Sequence, residues 1–314
     1  MTKTSRISPS SLVRKLSTFK PQSLQSAKWA PFPLRQKWLS EDDMTLGHVG
    51  SLEVFLTHNL KKLRQAQKLR YRVFYEEMSA IADSHTQFTR RDQDEFDPLC
   101  DHLIVVDNDH LVKSRPFSKA QPEIVGTYRL LQQDVAELNG GFYTAGEYDI
   151  QPLIDRHANL RFMELGRSCV IKPYRNKRTL ELLWHGIWSY VLMNNVDVMI
   201  GCASIEGTDP QRLKEQLSFL HHYCQPDDEW KVSALPEYYE EMNLLPKDEI
   251  NPKTALRALP PLIKGYLRLG ASIGSGAVVD HQFGTTDVLI IMPVSRLNQR
   301  HLNYYGDRAQ RYAS

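Results

Sequence analysis

One stretch near the middle of the chain combines a buried strand with two unexpected charges. Residues 162–171 are mainly apolar, and a basic stretch at 175–179 precedes an amphipathic pattern. This order predicts a strand, a loop and a helix whose N-terminal N–H groups can meet an anion such as a phosphate. Glu164 and Arg167 lie within the strand, where a charge is costly unless it is paired or used. The pattern predicts a phosphate-bearing ligand beside a polar reaction centre.

The remaining periodicity predicts a mixed sheet with helices on both faces. Apolar residues at helical spacing predict a helix over about 57–77 and another from Leu180 to Val191. A helix, then strands, then strand–helix–strand–helix is the order of an α/β (α+β) fold. The predicted strands are 103–106, 124–131, 162–171, 196–203 and 287–293, and the further predicted helices are 210–223 and 262–269.

The ends of the chain differ from its centre. Residues 1–40 contain eight Lys or Arg and no Asp or Glu, whereas the whole chain carries a net charge of +2. We therefore predict a basic, partly disordered extension at 1–50, one domain at 51–305 and a tail at 306–314. The Pro-rich region at about 226–260 is expected to be an insertion over the core. The basic arm could bind anionic lipid head groups or an acidic protein, or remain solvated.

Composition argues against several classes of protein. No stretch approaches the roughly 20 apolar residues of a membrane span, and the arm lacks the apolar core of a secretory signal. The four cysteines form no CxxC pair, so neither a disulfide framework nor a zinc site is expected. We expect a cytoplasmic protein, with peripheral membrane contact left open and no nucleic-acid partner. Composition also leaves an organellar transit peptide open.

Two clusters precede the charged strand. Arg70 and Phe74 are four residues apart, which places them on one face of the predicted helix. Residues 92–97 contain four carboxylates in a predicted loop, and these repel one another unless a cation satisfies them. A substrate ammonium or a nearby Arg would do so; calcium is a rival, although the spacing is not that of an EF-hand. A core Phe beside an exposed Arg, and a solvated acidic loop, are the structural alternatives.

Arg129 lies in the middle of a predicted strand. A charge there is costly without a partner, and we expect that partner to be Asp94, Asp97 or Glu164. The alternative is an Arg on an open face of the sheet.

The geometry of the charged strand depends on Gly166. Strand alternation places Glu164 and Gly166 on one face and Arg167 on the other. A bulge at Gly166 would change this arrangement. A splayed strand would also expose N–H groups that could polarise a carbonyl.

Four motifs together resemble the autoinducer-synthase branch of the GNAT acyltransferases. They are Arg-x-x-Val-Phe, Asp-x-x-Asp, Gly-x-x-Arg-Leu and Glu-x-x-Arg, in that order. The resemblance implies a GNAT-like fold with a mixed, largely antiparallel central sheet. Ala80 stands where homoserine-lactone synthases place a Trp, which argues against that product. The matching residues are Arg70 and Phe74, Asp94 and Asp97, Arg129, and Glu164 and Arg167.

A closer resemblance, over about 50–305, is to the L-ornithine Nα-acyltransferase family. It implies transfer of a (3-hydroxy)acyl chain from acyl carrier protein to the α-amine of L-ornithine, giving lyso-ornithine lipid. No metal or redox cofactor is implied, because the acyl-phosphopantetheine of the carrier protein is a co-substrate. The stretches that carry the resemblance are 95–97, 100–103, 164–170, 201–204 and 260–266.

The resemblance also implies roles for individual residues. Glu164 is the first choice for the base that takes the amine proton, with Arg167 and Arg129 beside it as catalytic residues. The implied substrate-binding residues are Arg70, Phe74, Asp94 and Asp97. The implied residues for the acyl donor and its phosphopantetheine are Ser168, Cys169, Val170, Arg175, Lys177 and Arg178.

Other functions remain open at this stage. The basic stretch 175–180 lacks the glycines of the usual GNAT pyrophosphate loop, which favours a carrier protein over coenzyme A as donor. The acceptor could be another amino acid, or S-adenosylmethionine as in acyl-homoserine-lactone synthases. A membrane-active or carrier-binding protein that uses the basic arm is the non-enzymatic alternative.

Overall fold

The computed structural model describes residues 43–113 and 119–297. The strands of these residues form one sheet in the order β1-β2-β3-β4-β5-β6-β9-β7, with β8 also paired to β9. Every neighbouring pair is antiparallel except β5 and β6. The strands are β1 (Met44–Val49), β2 (Leu52–Thr57), β3 (Asp101–Val112), β4 (Gln121–Gln132), β5 (Phe162–Val170), β6 (Val198–Glu206), β7 (Ser272–Ile273), β8 (Val278–Asp280) and β9 (Thr285–Pro293).

The helices begin where local signals favour them. Asn59 caps the first helix by accepting N–H groups of Lys61 and Lys62, and Asn176 caps the longest helix by accepting the N–H of Thr179. The α-helices are α1 (Leu60–Tyr71), α2 (Ser84–Thr89), α3 (Gln133–Leu138), α4 (Gln151–Arg156), α5 (Lys177–Asn194), α6 (Lys214–Tyr223), α7 (Pro252–Ala258) and α8 (Pro261–Leu269).

The sheet is covered on both faces. Along β9, Val288 and Ile290 pack into one hydrophobic core and the alternate residues Leu289 and Ile291 pack into a second. Side chains of a strand alternate between faces, so at β9 the two cores lie on opposite sides of the sheet. The first core includes consecutive residues of β3, from Leu103 to Val106, and therefore lies on both faces there. The predicted mixed, largely antiparallel sheet with helices on both faces is therefore confirmed.

Several boundaries differ from the sequence-based predictions. The helix expected over 57–77 is α1 followed by a π-helical segment at Arg72–Glu77. The strands β1 and β2 were not predicted, and β1 lies inside the segment assigned to the extension at 1–50. Both are six residues long, too short for a periodicity to stand out. Most of that extension, and the tail at 306–314, lie outside the described residues.

The region at 226–260 contributes to the packed structure. Trp230 and Val232 belong to the second core, Met242 is fully buried in the first, and Glu240 forms a β-bridge with Ala277. The region therefore covers the sheet and also completes its two cores.

A close backbone approach joins β5 to β6. A Cβ atom on Gly201 would lie only 2.3 Å from the carbonyl oxygen of Leu165, which is far inside contact distance. Because that neighbour is backbone, no rotamer change can relieve the clash. Glycine is therefore required at this point of β6.

We expect Gly201→Ala to lower the free energy of unfolding by about 1–3 kcal/mol, the range for overpacking a close-packed interior. Urea denaturation followed by circular dichroism measures the change. Gly146→Ala is the matched control, because a Cβ there meets no atom within 4 Å. Equal stability of the two variants would contradict this account of Gly201.

Candidate active site

The parallel pair β5 and β6 separates after three residue pairs. Phe162 pairs with Val198, Met163 with Met199 and Glu164 with Ile200, and the pairing ends there. A cavity of about 590 Å³ lies where the two strands diverge. Consecutive residues of β5, from Glu164 to Val170, line the cavity, so both faces of that strand contribute to it. β5 and β6 are therefore splayed beyond their last residue pair.

Nine of the thirteen residues that the sequence implicates line this cavity. The other four, Arg70, Asp94, Asp97 and Arg178, do not belong to its lining. The nine are Phe74, Arg129, Glu164, Arg167, Ser168, Cys169, Val170, Arg175 and Lys177.

A β-bulge in β5 decides where Arg167 points. Thr127 of β4 pairs with Cys169 and Arg129 pairs with Gly166, so one residue of β4 faces two residues of β5. Arg167 has φ of 49°, in the left-handed region that residues other than glycine seldom adopt. The simple alternation expected from the sequence is therefore interrupted. As a result, Arg167 and Arg129 both reach the same carboxylate, Asp94.

Three arginines and three aspartates form an ion-pair network beside the cavity. Arg70 is fully buried. Arg129 contacts Asp94 and Asp97, two of the three partners expected from the sequence. The N–O distances are 2.7 Å for Arg70–Asp92, 2.7 Å for Arg70–Asp97, 2.5 Å for Arg129–Asp94, 3.3 Å for Arg129–Asp97, 3.3 Å for Arg167–Asp92 and 3.2 Å for Arg167–Asp94.

The arginines of the network favour the ionised forms of Asp94 and Asp97. Burial alone would raise the pKa of Asp97, but Arg70 and Arg129 outweigh it and hold the pKa below its ordinary value. Arg129 and Arg167 do the same for Asp94. From the sequence, either a substrate ammonium or a nearby Arg could pair with this acidic loop. In the structure its partners are arginines. We expected Asp94 and Asp97 to bind substrate, but they do not line the cavity. Arginines occupy their oxygens instead.

Phe74 and Arg70 separate although they are four residues apart. The π-helical segment at Arg72–Glu77 begins between them. Phe74 lines the cavity and packs edge-on against Phe283, whereas Arg70 lies in the buried network. π-helical segments are frequent at functional sites, because the extra residue redirects a side chain.

The carboxylate of Glu164 lies where β5 leaves β6. It accepts backbone N–H groups of Tyr143 at 3.0 Å and Thr144 at 2.6 Å, and also the Thr144 hydroxyl. Burial raises the pKa of Glu164 above its ordinary value, against the opposing effect of these hydrogen bonds and of Arg129. A carboxylate has about four lone-pair sites, so one remains for a further donor. Glu164 is thus a buried carboxylate of increased basicity that faces the cavity.

The basic loop before α5 divides between two places. Arg175 lines the cavity, donates its Nε–H to the carbonyl of Val170 at 2.8 Å and pairs with Glu77. Lys177 also lines the cavity, at the first turn of α5. Arg178 instead donates to the carbonyl of Val49 at 2.6 Å. It therefore holds the β1–β2 hairpin, and this contact could not be expected because the hairpin itself was not predicted.

Several lining residues were not found from the sequence. Tyr143 and Thr144 lie in a segment that the sequence shows only as irregular. The guanidinium of Arg167 lies 5.2 Å from the ring centroid of Tyr143 and 5.0 Å from that of Phe283. Asp287 also lines the cavity, and its position at the start of an apolar strand was a usable signal. The rule that singled out Glu164, the cost of a charge in a buried strand, applies to it equally.

We expect Asp97→Asn to lower the free energy of unfolding by about 3–5 kcal/mol, because it leaves the buried guanidinium of Arg70 without part of its counter-charge. Urea denaturation at neutral pH measures the loss. Asp155→Asn removes an exposed carboxylate on α4 and is the control, with a change within about 0.5 kcal/mol. A change of similar size in both variants would contradict the structural role of the network.

Residues 69–185 match the family described as acetyltransferase (GNAT) domain. Two solved structures align over most of the chain at low identity. FeeM, an N-acyl amino acid synthase from uncultured soil microbes, is 12% identical over 80% of this chain and 97% of its own, with a TM-score of 0.42. The AHL synthase LasI is 13% identical over 77% of this chain and 91% of its own, with a TM-score of 0.40.

Curated relatives match nearly the whole chain at much higher identity. The L-ornithine N(alpha)-acyltransferase of Rhizobium meliloti (strain 1021) is 52% identical over 86% of this chain and 89% of its own length. The enzyme of the same name from Agrobacterium fabrum (strain C58 / ATCC 33970) is 50% identical over 88% of this chain and 92% of its own. The protein is therefore an acyltransferase with a GNAT domain, and it belongs to the L-ornithine N(alpha)-acyltransferase family.

Proposed function

We propose that the protein transfers an acyl chain from acyl carrier protein to the α-amine of L-ornithine. The product is an N-acylornithine, a lyso-ornithine lipid when the chain is a 3-hydroxyacyl group. One observation carries the proposal: the cavity between β5 and β6 has a buried carboxylate, Glu164, beside a helix N-terminus that carries basic side chains. This arrangement suits an amine on one side and a phosphate-bearing thioester on the other.

The acceptor amine must be neutral before it can attack. Its nitrogen forms a bond to the thioester carbonyl carbon, and the C–S bond then breaks to release the pantetheine thiol. The proton lost by nitrogen passes first to Glu164, whose basicity burial increases, and then to the leaving sulfur. No further oxidant, reductant or metal is needed for the atoms and electrons of this exchange to balance.

The thioester oxygen becomes negative during the attack. The bulge in β5 takes Arg167 and Ser168 out of the ladder with β4, which leaves backbone N–H groups at the cavity available to the oxygen. Donors that are already oriented stabilise such a charge without reorganisation. Ser168, Cys169 and Val170 then line the path of the pantetheine arm.

The phosphate of the arm would meet the start of α5. Arg175 and Lys177 line the cavity there, and the first N–H groups of a helix attract anions. A single phosphate, as on a carrier protein, fits a loop without glycines better than the pyrophosphate of coenzyme A does. An acidic carrier protein would also face the exposed lysines at this end of the helix.

Contact of the basic arm with a membrane stays a prediction. Among residues 43–113 and 119–297, no helix has the length and apolar character of a membrane span.

Arg129 and Arg167 are proposed to act at the acceptor. Both line the cavity, and their charges are shared with the aspartate network. They would orient the carboxylate of the amino acid while Asp94 and Asp97 hold them in place. Arg70 then acts through Asp97 as a positioning residue, and Phe74 forms part of the apolar wall.

We expect purified protein to form N-acylornithine from acyl carrier protein charged with a 3-hydroxyacyl chain. Glu164→Gln should lower kcat by about 100-fold or more, because the amide cannot take the proton. In the wild type, kcat should fall at acidic pH as Glu164 becomes protonated, with a midpoint above the ordinary value for a glutamate. Mass spectrometry of the product, over a range of pH, measures both effects.

The control for Glu164 is Glu137→Gln, an exposed carboxylate on α3 outside the cavity lining. Thermal unfolding of both variants separates lost chemistry from lost fold. A well-folded Glu164→Gln protein with wild-type kcat would exclude Glu164 as the base. Wild-type protein that acylates no amino acid from the carrier would exclude the proposed reaction.

The two neighbouring basic residues should differ in their effect on the donor. Lys177→Ala is expected to raise KM for the acyl carrier protein by about threefold to tenfold, because it removes a charge beside the phosphate path. Arg178→Ala should change that KM less and lower stability instead, since its guanidinium binds the carbonyl of Val49. Steady-state kinetics at low and high salt measure the difference, which screening should reduce. Equal KM values for the two variants would contradict the assigned path.

A further inference from the structure

The two walls of the cavity differ in how their carboxylates are satisfied. On the wall formed by Arg129 and Arg167, every aspartate of the adjoining network has an arginine within 3.3 Å. The cavity lining also includes Asp280 and Asp287, which form a second, acidic wall. In the described ranges, 43–113 and 119–297, neither of these has a Lys, Arg or His side chain within ion-pair distance. Within these ranges, Asp280 is bound only by the backbone N–H groups of Gln282 and Phe283, and Arg167 acts on Asp287 only from beyond ion-pair distance. The negative charge of this wall is therefore only partly compensated.

Asp287 is the most buried member of this wall, at 7% exposure. It lies at the start of β9, opposite Ser204 of β6. Its Oδ1 accepts the Thr285 hydroxyl at 2.9 Å, so its closest partner is neutral. Burial, reinforced by Asp280, raises the pKa of Asp287 to about 6 despite hydrogen bonds from Ser204 and Thr285 and a longer-range attraction to Arg167. A cation beside it would relieve that cost.

Glu147 does not line the cavity, but its carboxyl interacts electrostatically with Asp287 and forms a hydrogen bond with the Cys202 thiol. Its Oε2 atom is fully buried and has no hydrogen-bond donor among the described residues. Burial, with Asp287 as the next largest cause, raises the pKa of Glu147 to about 7. Buried polar atoms are nearly always paired, so an orphaned carboxylate oxygen indicates a missing donor. This observation is independent of the cavity lining and points to the same missing positive charge.

We propose that Asp287, supported by Asp280 and Glu147, binds the side-chain ammonium of the acceptor amino acid; this inference rests on the proposed function. The α-amine then lies towards Glu164, and the second amine lies against the acidic wall. The wall thereby selects α-amino acids that carry a second, cationic amine. In this arrangement Asp287 and Asp280 are substrate-binding residues that set specificity, and Glu147 acts behind them.

A buried polar group that is left unpaired costs free energy. A site built to bind a charged group rejects an analogue without that group, because its own buried groups then lose their partner. Norvaline is ornithine without the side-chain amine and is therefore the matched acceptor. It keeps the α-amine, the carboxylate and the carbon chain.

The test compares both acceptors with one donor, a 3-hydroxyacyl carrier protein. The full chain is used as wild type, Asp287→Asn, Asp280→Asn and the control Asp155→Asn. Asn at 287 retains an Oδ1 acceptor for the Thr285 hydroxyl, so the fold is expected to survive. We expect Asp287→Asn to lower kcat/KM for ornithine by about tenfold to hundredfold. Its kcat/KM for norvaline should stay within about twofold, and Asp155→Asn should change neither.

If Asp287→Asn does not fold, Asp280→Asn provides a second test. Asp280 is more exposed than Asp287. Asp280→Asn should therefore also lower the preference for ornithine over norvaline, but by less than Asp287→Asn does. A folded Asp287→Asn or Asp280→Asn protein that loses both acceptors equally, or that keeps the wild-type ratio, would overturn the inference and leave the proposed reaction intact. Wild-type protein that acylates neither amino acid would overturn both.

Discussion

The structure depends on the separation of β5 from β6. A parallel strand pair normally continues its hydrogen bonds, and ending it after three residue pairs leaves backbone groups and side chains facing one another across a gap. Two features hold the strands in this arrangement. Gly201 allows β6 to approach the backbone of Leu165 just after the last pair, and the bulge at Arg167 turns β5 away from its other neighbour. The cavity therefore results from the way in which the sheet is paired.

The bulge is itself stabilised by charge. Arg167 adopts a left-handed backbone conformation that costs free energy, and such conformations persist only when their surroundings determine them. Its guanidinium contacts Asp92 and Asp94, and the latter also contacts Arg129. The acidic loop thus sets the position of the strand that carries Glu164. A cluster that looks like a ligand site in the sequence supports, in the fold, the strand that carries Glu164.

The sequence was most informative where it violated a rule of burial. Glu164, Arg129 and Arg167 were identified because charges in apolar strands need a reason, and all three line the cavity. The same rule would have found Asp287. What could not be predicted was geometric: a left-handed residue in the middle of a strand, or the path of Arg178 towards a hairpin too short to recognise. Tyr143 and Thr144 carry no periodic signal, because they contribute backbone N–H groups to Glu164.

The cysteines of the cavity bear on the order of events. Cys169 and Cys202 both line it, and burial raises the pKa of each thiol above its ordinary value. A thiol that stays protonated is a poor nucleophile, which argues against an acyl group carried on the protein between two half-reactions. In the proposed reaction the chain passes directly from sulfur to nitrogen, so carrier and amino acid must occupy the enzyme together. A cavity to which both faces of β5 contribute suits such a ternary complex.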